Sequence, residues 1–491
     1  MSRLLFSIAL VIATLSAQKV DPFGGYGDVY WGYGNAAVSA LAKYVKPNLN
    51  FVWSTGSHTA QPVIISSIGP DKYTSQLQGM KKNSDMAAVI RQAIDDGVDV
   101  IMVIGDGMGF SHLSLPIYYA KATGQKDATA VEEWLSTGKM ALSYTNPVDE
   151  LVTCSAASGT AIANGVKTRN TMLGVDSNGF ELESVLEYAQ KRGLATGLVT
   201  DKHVTDATPA AYYAAAASRS EESDIASQLV KNGAIDVILG GGALMFVPES
   251  TKVSAHKAFA SLKTGKDKKS KRSDKRDLIL EMKQKGYEFV CNDSMLSHVK
   301  GGKVFGLFSG GNISAAIDRD DEATGEPTLE AMAKKSLSVL KAKGKGFFVM
   351  LESGRIDAEA HKNDAGALLK AMLETDRMLK ACLEFRKGRE KKTLMIMTAD
   401  HETGGFGISY SYDSQPDSLN LPSGQTWKSP GNGVPYKNLI IVDKQTRSFE
   451  AIVNTSKTAE ELIVNLGKYT PFSITQEEAV SIMDYKESEK K

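Results

Sequence analysis

Four short apolar runs, each ending on an acidic residue, constrain the fold more than any other feature of the sequence. They are VDVIMVIGD (98–106), ATGLVTD (195–201), GFFVMLE (346–352) and TLMIMTAD (393–400). Their length and their content of Val, Ile, Leu, Phe and Met are typical of buried parallel strands. Helical patterns such as ESVLEYAQKRG stand between them. We therefore predict an α/β fold of three layers, with a mainly parallel central sheet flanked by helices on both faces.

The acidic residues at the ends of these runs are the first candidates for a functional site. Ligands of such sheets bind outside the carboxyl ends of the strands, so Asp106, Glu352 and Asp400 are expected to gather at one edge. Three converging carboxylates repel one another unless they are protonated, paired or bound to cations. The pattern therefore predicts a cation site.

Composition limits the classes of partner. The 491 residues are 42% hydrophobic, and lysine plus arginine and aspartate plus glutamate each total 57. This zero balance gives no electrostatic argument for nucleic acid or for an anionic membrane surface. The one strongly basic stretch, 264–276, lacks periodicity and is predicted to be a solvated loop.

The N-terminus has the order of a secretory signal. A basic residue, Arg3, precedes an apolar stretch from Leu4 to Leu15 and then small residues. A membrane anchor would need about 20 apolar residues. We therefore predict a signal peptide over 1–17, a periplasmic or extracellular location without a stable membrane span, and a single domain over 18–491.

Two motifs contain residues that suit metal ions. ESGRIDAEAH supplies Glu352, Asp357 and His361, and the last two face one way if the stretch is helical. TADHETGG places Asp400 beside His401 at a strand end. Carboxylate and imidazole sets suit zinc, whereas sets of oxygen atoms alone suit magnesium.

Two further motifs contain residues that suit a phosphate group. In TCSAASGTAIANG, Ser155 stands at a predicted helix start, where backbone N–H groups favour an anion, although most such serines are plain caps. In DATPAAYYAAAASR, Pro209 fits the first turn of a helix predicted to deliver Arg219. Arginine can grip phosphate with two donors, although exposed arginines are usually only solubilising.

Taken together, GDGMG, the SAAS turn, GVKT with LGVD, DATPAA with SR, and TADHETGG resemble the alkaline phosphatase family, in that family's order from residue 98 to about 406. The resemblance implies hydrolysis of phosphate monoesters through a phosphoserine, with release of inorganic phosphate and an alcohol. It implies Ser155 as nucleophile and Arg219 as phosphate clamp. Small phosphate monoesters are then the substrates, and a homodimer is left open because some members are monomeric.

The resemblance also implies two zinc ions. Asp106, Asp400 and His401 would hold the first, which also contacts the nucleophile. Asp357 and His361 would hold the second. That second set is one ligand short.

One magnesium ion completes the implied metal complement. Thr208 and Glu352 would hold it, with Asp106 bridging, and Asp206 would order a water bound to it.

The missing zinc ligand is predicted to be His58, in the segment WSTGSHTAQPVIISSIGP. Family members place a histidine in such a segment after the ADH motif, but here no histidine follows His401, and Asn432 is a poor zinc ligand. A histidine in a turn of this kind is by itself usually only a loop residue. The flanking match and the missing ligand favour a circular permutation, in which residues 20–83 are the usual C-terminal portion moved to the front. Metal sites require convergence in space rather than order in sequence.

Cys154 departs from the family pattern. Many members have an aspartate there that orients the arginine, so Arg219 is expected to be less constrained or held by another acid. The thiol itself fits a small apolar filler better than a reactive group.

Alternatives to a phosphomonoesterase remain at this stage. A sulfatase would need a proline two residues after its nucleophile, and Cys154 is followed by SAAS. A phosphodiesterase of the same superfamily, or a noncatalytic protein that binds metal or phosphate, is not excluded. The remaining histidines, of which only His203 follows a strand end, lie outside the family's ligand positions: His112, His203, His256 and His298.

Overall fold

The computed structural model describes residues 36–45, 50–259, 269–319, 324–409, 417–429 and 434–488. The predicted signal peptide, 1–17, and Asn432 lie outside the described residues. Within them, ten strands form one sheet: β1 Val63–Ile68, β2 Gly79–Lys82, β3 Asp99–Gly105, β4 Lys139–Tyr144, β5 Ala195–His203, β6 Val237–Gly241, β7 Tyr287–Val290, β8 Lys303–Leu307, β9 Phe347–Ser353 and β10 Thr393–Thr398.

The four strands predicted from the apolar runs lie side by side in the middle of this sheet. The order is β2-β4-β1-β10-β3-β9-β5-β6-β8-β7, and the pairs are parallel except for the two that β1 makes with β4 and β10. Ile104 of β3 is in register with Glu352 of β9 and with Thr398 of β10. The carboxyl ends of these strands therefore meet at one edge, as predicted.

Side chains of the central strand alternate between two hydrophobic cores. Ile101 and Val103 belong to one core, whereas Val100, Met102 and Ile104 belong to the other. Helices cover both faces because successive side chains of a buried strand point to opposite sides and each side needs an apolar partner. The predicted three-layer α/β arrangement is confirmed.

The helices of the described residues include one within the predicted stretch ESVLEYAQKRG, two residues shorter than that stretch at each end. Their bounds are Ala36–Val45, Asp71–Thr74, Asp85–Asp95, Phe110–Ala122, Ala130–Thr137, Ser155–Asn164, Val185–Lys191, Ala207–Ala210, Glu222–Asn232, Leu278–Gln284, Asp293–His298, Ala316–Arg319, Leu329–Ala342, Arg355–His361, Ala365–Arg386, Lys437–Asp443, Phe449–Thr455, Ala459–Tyr469 and Gln476–Ser488. Short 3-10 turns cover Ala243–Met245, Val253–Ala255 and Lys257–Phe259. Within the described ranges, no helix combines the length and the hydrophobicity that crossing a membrane requires.

The segment before residue 98 is built into the same core as the rest of the chain. Strand β1 lies between β4 and β10. The helix Ala36–Val45 packs against the C-terminal helix Gln476–Ser488, and the Tyr44 hydroxyl lies 3.5 Å from Ser481 Oγ. The two ends of the described chain are therefore neighbours in space.

The described part of the basic stretch, residues 269–276, is an irregular and mostly exposed segment, as predicted, with one buried exception. Arg272 is only 4% exposed. Its guanidinium donates to the carboxylate of Asp274 and, over 3.1 Å, to the carbonyl of Met245. Residues 260–268, which include the first half of the stretch, lie outside the described residues.

Leu41→Ala is expected to lower the free energy of unfolding by about 2–5 kcal/mol, because it leaves a cavity between the helix Ala36–Val45 and the core. Leu41 is fully buried, whereas Leu280, in the helix Leu278–Gln284, is 50% exposed. The matched Leu280→Ala variant should change the free energy of unfolding by no more than about 0.5 kcal/mol. Urea unfolding followed by circular dichroism measures both, and equal effects would contradict the packing of the N-terminal helix.

Candidate active site

The loops that leave β3, β9 and β10 bring acidic side chains together at the carboxyl edge. Asp106 directly follows β3, and its N–H donates to the carbonyl of Ser353 at the end of β9 over 3.1 Å. The next residue, Gly107, has φ +71°, and a Cβ there would lie 2.7 Å from Thr403 Oγ1. Glycine is therefore required for the turn that holds Asp106 against the other two strand ends.

His401 lies at the centre of the first group of side chains. Its Nε2 is 3.2 Å from Ser155 Oγ, 3.5 Å from Asp106 Oδ1 and 3.2 Å from Asp400 Oδ2. Ser155 is the first residue of the helix Ser155–Asn164, with Cys154 extended before it, as predicted. The serine hydroxyl thus lies at a helix N-terminus and against the imidazole of His401, which in turn lies beside two carboxylates.

His58 and His361 form the second group with Asp357. The two Nε2 atoms are 3.1 Å apart, and Asp357 Oδ1 lies 3.6 Å from His58 Nε2 and 3.2 Å from His361 Nε2. A short antiparallel ribbon between His58–Thr59 and Glu402–Thr403 brings the distant histidine here. The structure therefore brings His58 together with the residues predicted to share its metal ion.

Each of the three imidazoles is oriented by an oxygen atom on its far side. Nδ1 lies 2.8 Å from the Thr153 carbonyl in His58, 2.8 Å from the Gly56 carbonyl in His361, and 3.2 Å from Thr403 Oγ1 in His401. Such partners leave Nε2 as the ligating nitrogen and fix the ring plane, as is usual for metal ligands.

Burial keeps two of these rings neutral. It lowers the pKa of His58 to about 3, with a further contribution from His401. Burial likewise lowers the pKa of His401 to about 3. A neutral imidazole has the lone pair that a metal ion needs.

Several buried oxygen atoms of the predicted metal ligands have no hydrogen-bond partner among the described residues. They are Asp106 Oδ1, Asp400 Oδ2, Glu352 Oε1 and Thr208 Oγ1. Burial and the neighbouring Asp400 raise the pKa of Asp106 well above its ordinary value, and burial raises the pKa of Glu352 to about 8. Carboxylates buried in this way are stable in the ionised form only beside positive charge, and three groups of side chains lie close enough together to hold a metal ion.

The third of these groups consists of Asp106, Asp206 and Glu352. Sequence analysis missed Lys202, whose ammonium lies 2.6 Å from Asp106 Oδ2 and 3.4 Å from Asp206 Oδ2. Burial opposes its charge, but Asp106 and the neighbouring carboxylates raise the pKa of Lys202 well above its ordinary value. Its position beside the strand-end residue Asp201 was the signal that could have identified it.

Arg219 is held by another acid, as expected from the cysteine before Ser155. Its Nη2 lies 2.7 Å from Asp206 Oδ1. The charges of Lys202 and Arg219 overcome the effect of burial and lower the pKa of Asp206. The prediction that a helix delivers Arg219 is wrong, because the helix that contains Pro209 in its first turn ends at Ala210 and a turn carries the arginine.

The four other histidines belong to none of the three groups among the residues that the structure describes. His203 Nδ1 lies 2.7 Å from Asn312 Oδ1, and its Nε2 lies 3.3 Å from Glu222 Oε2. His256 pairs with Asp277 over 2.9 Å.

Hydrolysis of phosphate esters is the chemistry for which this edge is suited. Metal ions held by such ligands would stabilise entering and leaving oxygens, the Ser155 hydroxyl lies beside the ligands, and the guanidinium of Arg219 can donate to nonbridging oxygens. The fold and the site together define a metal-dependent hydrolase on a mainly parallel α/β sheet.

The chain belongs to the alkaline phosphatase family, whose sequence profile matches residues 98–476. It is 34% identical over 393 residues to alkaline phosphatase 4 of Bacillus subtilis (strain 168), which covers 75% of this chain and 78% of that relative. It is 30% identical over 389 residues to the alkaline phosphatase of Escherichia coli (strain K12), over 69% of this chain and 78% of the relative. The predicted family is confirmed.

A solved structure supports the same assignment. The crystal structure of Thermus thermophilus alkaline phosphatase superposes with a TM-score of 0.62 and 26% sequence identity, over 79% of this chain and 75% of that one. The protein is therefore a metal-dependent alkaline phosphatase that hydrolyses small phosphate monoesters.

Cys154→Asp is expected to tighten inhibition by inorganic phosphate by roughly three- to tenfold, because a carboxylate there would add a charged hydrogen bond near Arg219. The Thr171 N–H lies 3.1 Å from Cys154 Sγ, and the Thr171 carbonyl accepts from the Arg219 N–H over 2.8 Å, so the two positions share a neighbour. Steady-state inhibition constants for the wild type, Cys154→Asp and the uncharged control Cys154→Ser give the comparison. An unchanged inhibition constant for phosphate in Cys154→Asp would contradict this prediction.

Proposed function

We propose that the enzyme uses two zinc ions and a phosphoserine at Ser155. The observation that carries the proposal is a pair of adjacent ligand groups, one of which contacts this serine through His401. One group is His401 with Asp106 and Asp400, whose carboxylates lie within 3.5 Å of its Nε2, and the other is His58 with Asp357 and His361. Asp357 also lies close enough to Asp106 and His401 to share an ion with them. Both groups mix carboxylate oxygen with imidazole nitrogen, which is a donor set that suits zinc.

Ser155 is the nucleophile in this mechanism. Its Oγ attacks phosphorus, the bond from phosphorus to the ester oxygen breaks, and the alcohol leaves with a proton. Water then cleaves the phosphoserine, which returns the hydroxyl and releases inorganic phosphate. When bound, the zinc ions supply Lewis acidity that favours the serine alkoxide and stabilises charge on the leaving oxygen.

Arg219 binds the phosphoryl group in the same mechanism. Its guanidinium donates to nonbridging oxygens, and Asp206 orients it through the 2.7 Å contact. Recognition confined to the phosphate implies broad specificity for the alcohol.

The site fits the predicted magnesium ion only in part. Thr208 Oγ1, Glu352 Oε1 and Asp106 Oδ1 are buried oxygens without a protein partner, which suits magnesium. However, the ammonium of Lys202 already lies against Asp106. The mechanism therefore takes no step through magnesium.

The role of His58 supports the proposed circular permutation. The family profile begins at residue 98, so His58 lies outside the matched range. The helix Ala36–Val45 packs against Gln476–Ser488, which places the front of the described chain beside its end. Rejoining ends that are close in space is tolerated in compact domains.

Further expectations complete the proposal. Export through the signal peptide at 1–17 to a periplasmic or extracellular location and a single catalytic domain over 18–491 stay predictions, and a homodimer stays open.

Chelation is expected to abolish hydrolysis of p-nitrophenyl phosphate at alkaline pH, and zinc should restore it. His58→Ala should reduce the restored kcat/KM by about 100-fold or more, since loss of a ligand exceeds the 10–100-fold effects of its supporting partners. The matched control is His298→Ala, which removes an exposed histidine outside the three groups. Full activity of His58→Ala would contradict the role of His58, and activity that zinc does not restore would contradict the zinc mechanism.

Ser155→Ala is expected to lower kcat by about 10⁴- to 10⁶-fold, because the nucleophile is lost while the metal ligands remain. After incubation with inorganic phosphate and acid quenching, mass spectrometry should find phosphoserine in the peptide that contains Ser155 of the wild type. The same peptide of Ser155→Ala should carry no phosphate. A phosphate group on another residue would overturn the assignment of the nucleophile.

A further inference from the structure

Lys202 is a buried cation at the centre of the carboxylates that the proposed mechanism assigns to metal ions. Its Nζ lies 2.6 Å from Asp106 Oδ2, 3.2 Å from Asp357 Oδ2 and 3.4 Å from Asp206 Oδ2, and its side chain is 8% exposed. One ammonium therefore contacts one carboxylate from each of the three ligand groups.

The surrounding backbone fixes the position of the Lys202 side chain. The Lys202 N–H donates to Thr200 Oγ1 over 2.9 Å, and Asp201 Oδ1 accepts from the Gly354 N–H over 2.6 Å. Any Cβ at Gly354 would lie 2.7 Å from Lys202 Cγ and 2.8 Å from its Cδ. Glycine at that position thus leaves room for the lysine stem on its way to the carboxylates.

The same carboxylates belong to the third ligand group, which the family resemblance predicted for magnesium. Asp106 and Asp206 are two of its three acids, and both contact the ammonium. A divalent ion in that group would meet a positive charge in the same buried space, where charge repulsion is screened little. The ammonium of Lys202 already neutralises part of the negative charge that a magnesium ion would neutralise.

We propose that Lys202 is the resident third cation of this site and that its ammonium takes the place of the predicted magnesium ion. The inference rests on the proposed two-zinc function. Lys202 is a positioning residue: it ties Asp106 of the first zinc group to Asp357 of the second. It also contacts Asp206, which in turn orients Arg219.

Metal content tests this directly in the full-length chain. The wild type, dialysed to equilibrium against zinc and millimolar magnesium, is expected to hold two zinc ions but far less than one magnesium ion per chain by plasma mass spectrometry. Lys202→Ala frees the carboxylates, so it should take up about one magnesium ion per chain while keeping its zinc. Its kcat should then rise by about tenfold on magnesium addition, whereas that of the wild type should not change.

Two further variants separate the effect of the charge of residue 202 from the effect of its length. Lys202→Arg keeps a cation and should still exclude magnesium, whereas Lys202→Met keeps the length without the charge and should bind it. The control is Lys343→Met, which removes another lysine paired with a buried acid, Asp236, at 2.9 Å, outside the three groups. Its metal content should match that of the wild type.

Either of two results would overturn the proposal. One is stoichiometric magnesium in the wild type, which needs no variant to fold. The other is the absence of magnesium from the folded Lys202→Ala and Lys202→Met proteins alike. An error in the proposed two-zinc function would give a different result from an error in the role of Lys202. Zinc itself would then be missing from the wild type or would not restore its activity.

Discussion

The convergence of buried acids at one edge of the sheet is the constraint on which the rest of the site depends. Asp106, Glu352 and Asp400 are fully buried, and Asp206 and Asp357 are nearly so. Buried negative charges so close together are stable only beside cations. Lys202 and Arg219 supply positive charge directly, whereas the imidazoles would do so through the metal ions that they help to hold.

Orientation matters as much as charge. Each imidazole of the proposed zinc groups is anchored on its far side by an oxygen of the chain, and two of those anchors are the backbone carbonyls of Gly56 and Thr153. Thr153 lies two residues before Ser155, so the segment that carries the proposed nucleophile also holds His58 in place. The N-terminal segment is therefore joined to the catalytic edge by side-chain as well as strand contacts, which explains how so distant a residue is held so closely.

Positive charge in this site is distributed differently from what the motifs suggested. Asp206 is shared between Arg219 and Lys202, and Lys202 also reaches Asp106. The acid that the motif comparison placed beside a magnesium-bound water thus belongs to a chain of ion pairs within the protein. Buried pairs of this kind fix geometry because each partner would be costly to leave alone.

The sequence alone determined the α/β class, the four central strands and the edge at which Asp106, Glu352 and Asp400 meet. Buried parallel strands appear in a sequence as short continuous apolar runs, and the carboxyl ends of parallel strands lie at one edge of the sheet. Both features can therefore be recognised from the sequence. It also placed Ser155 at a helix start. Only the tertiary structure decided how His58 reaches His361, that Asp206 holds Arg219, and that Lys202 lies among the acids. Those contacts join residues far apart in the chain or depend on where a long side chain points, and neither follows from local pattern.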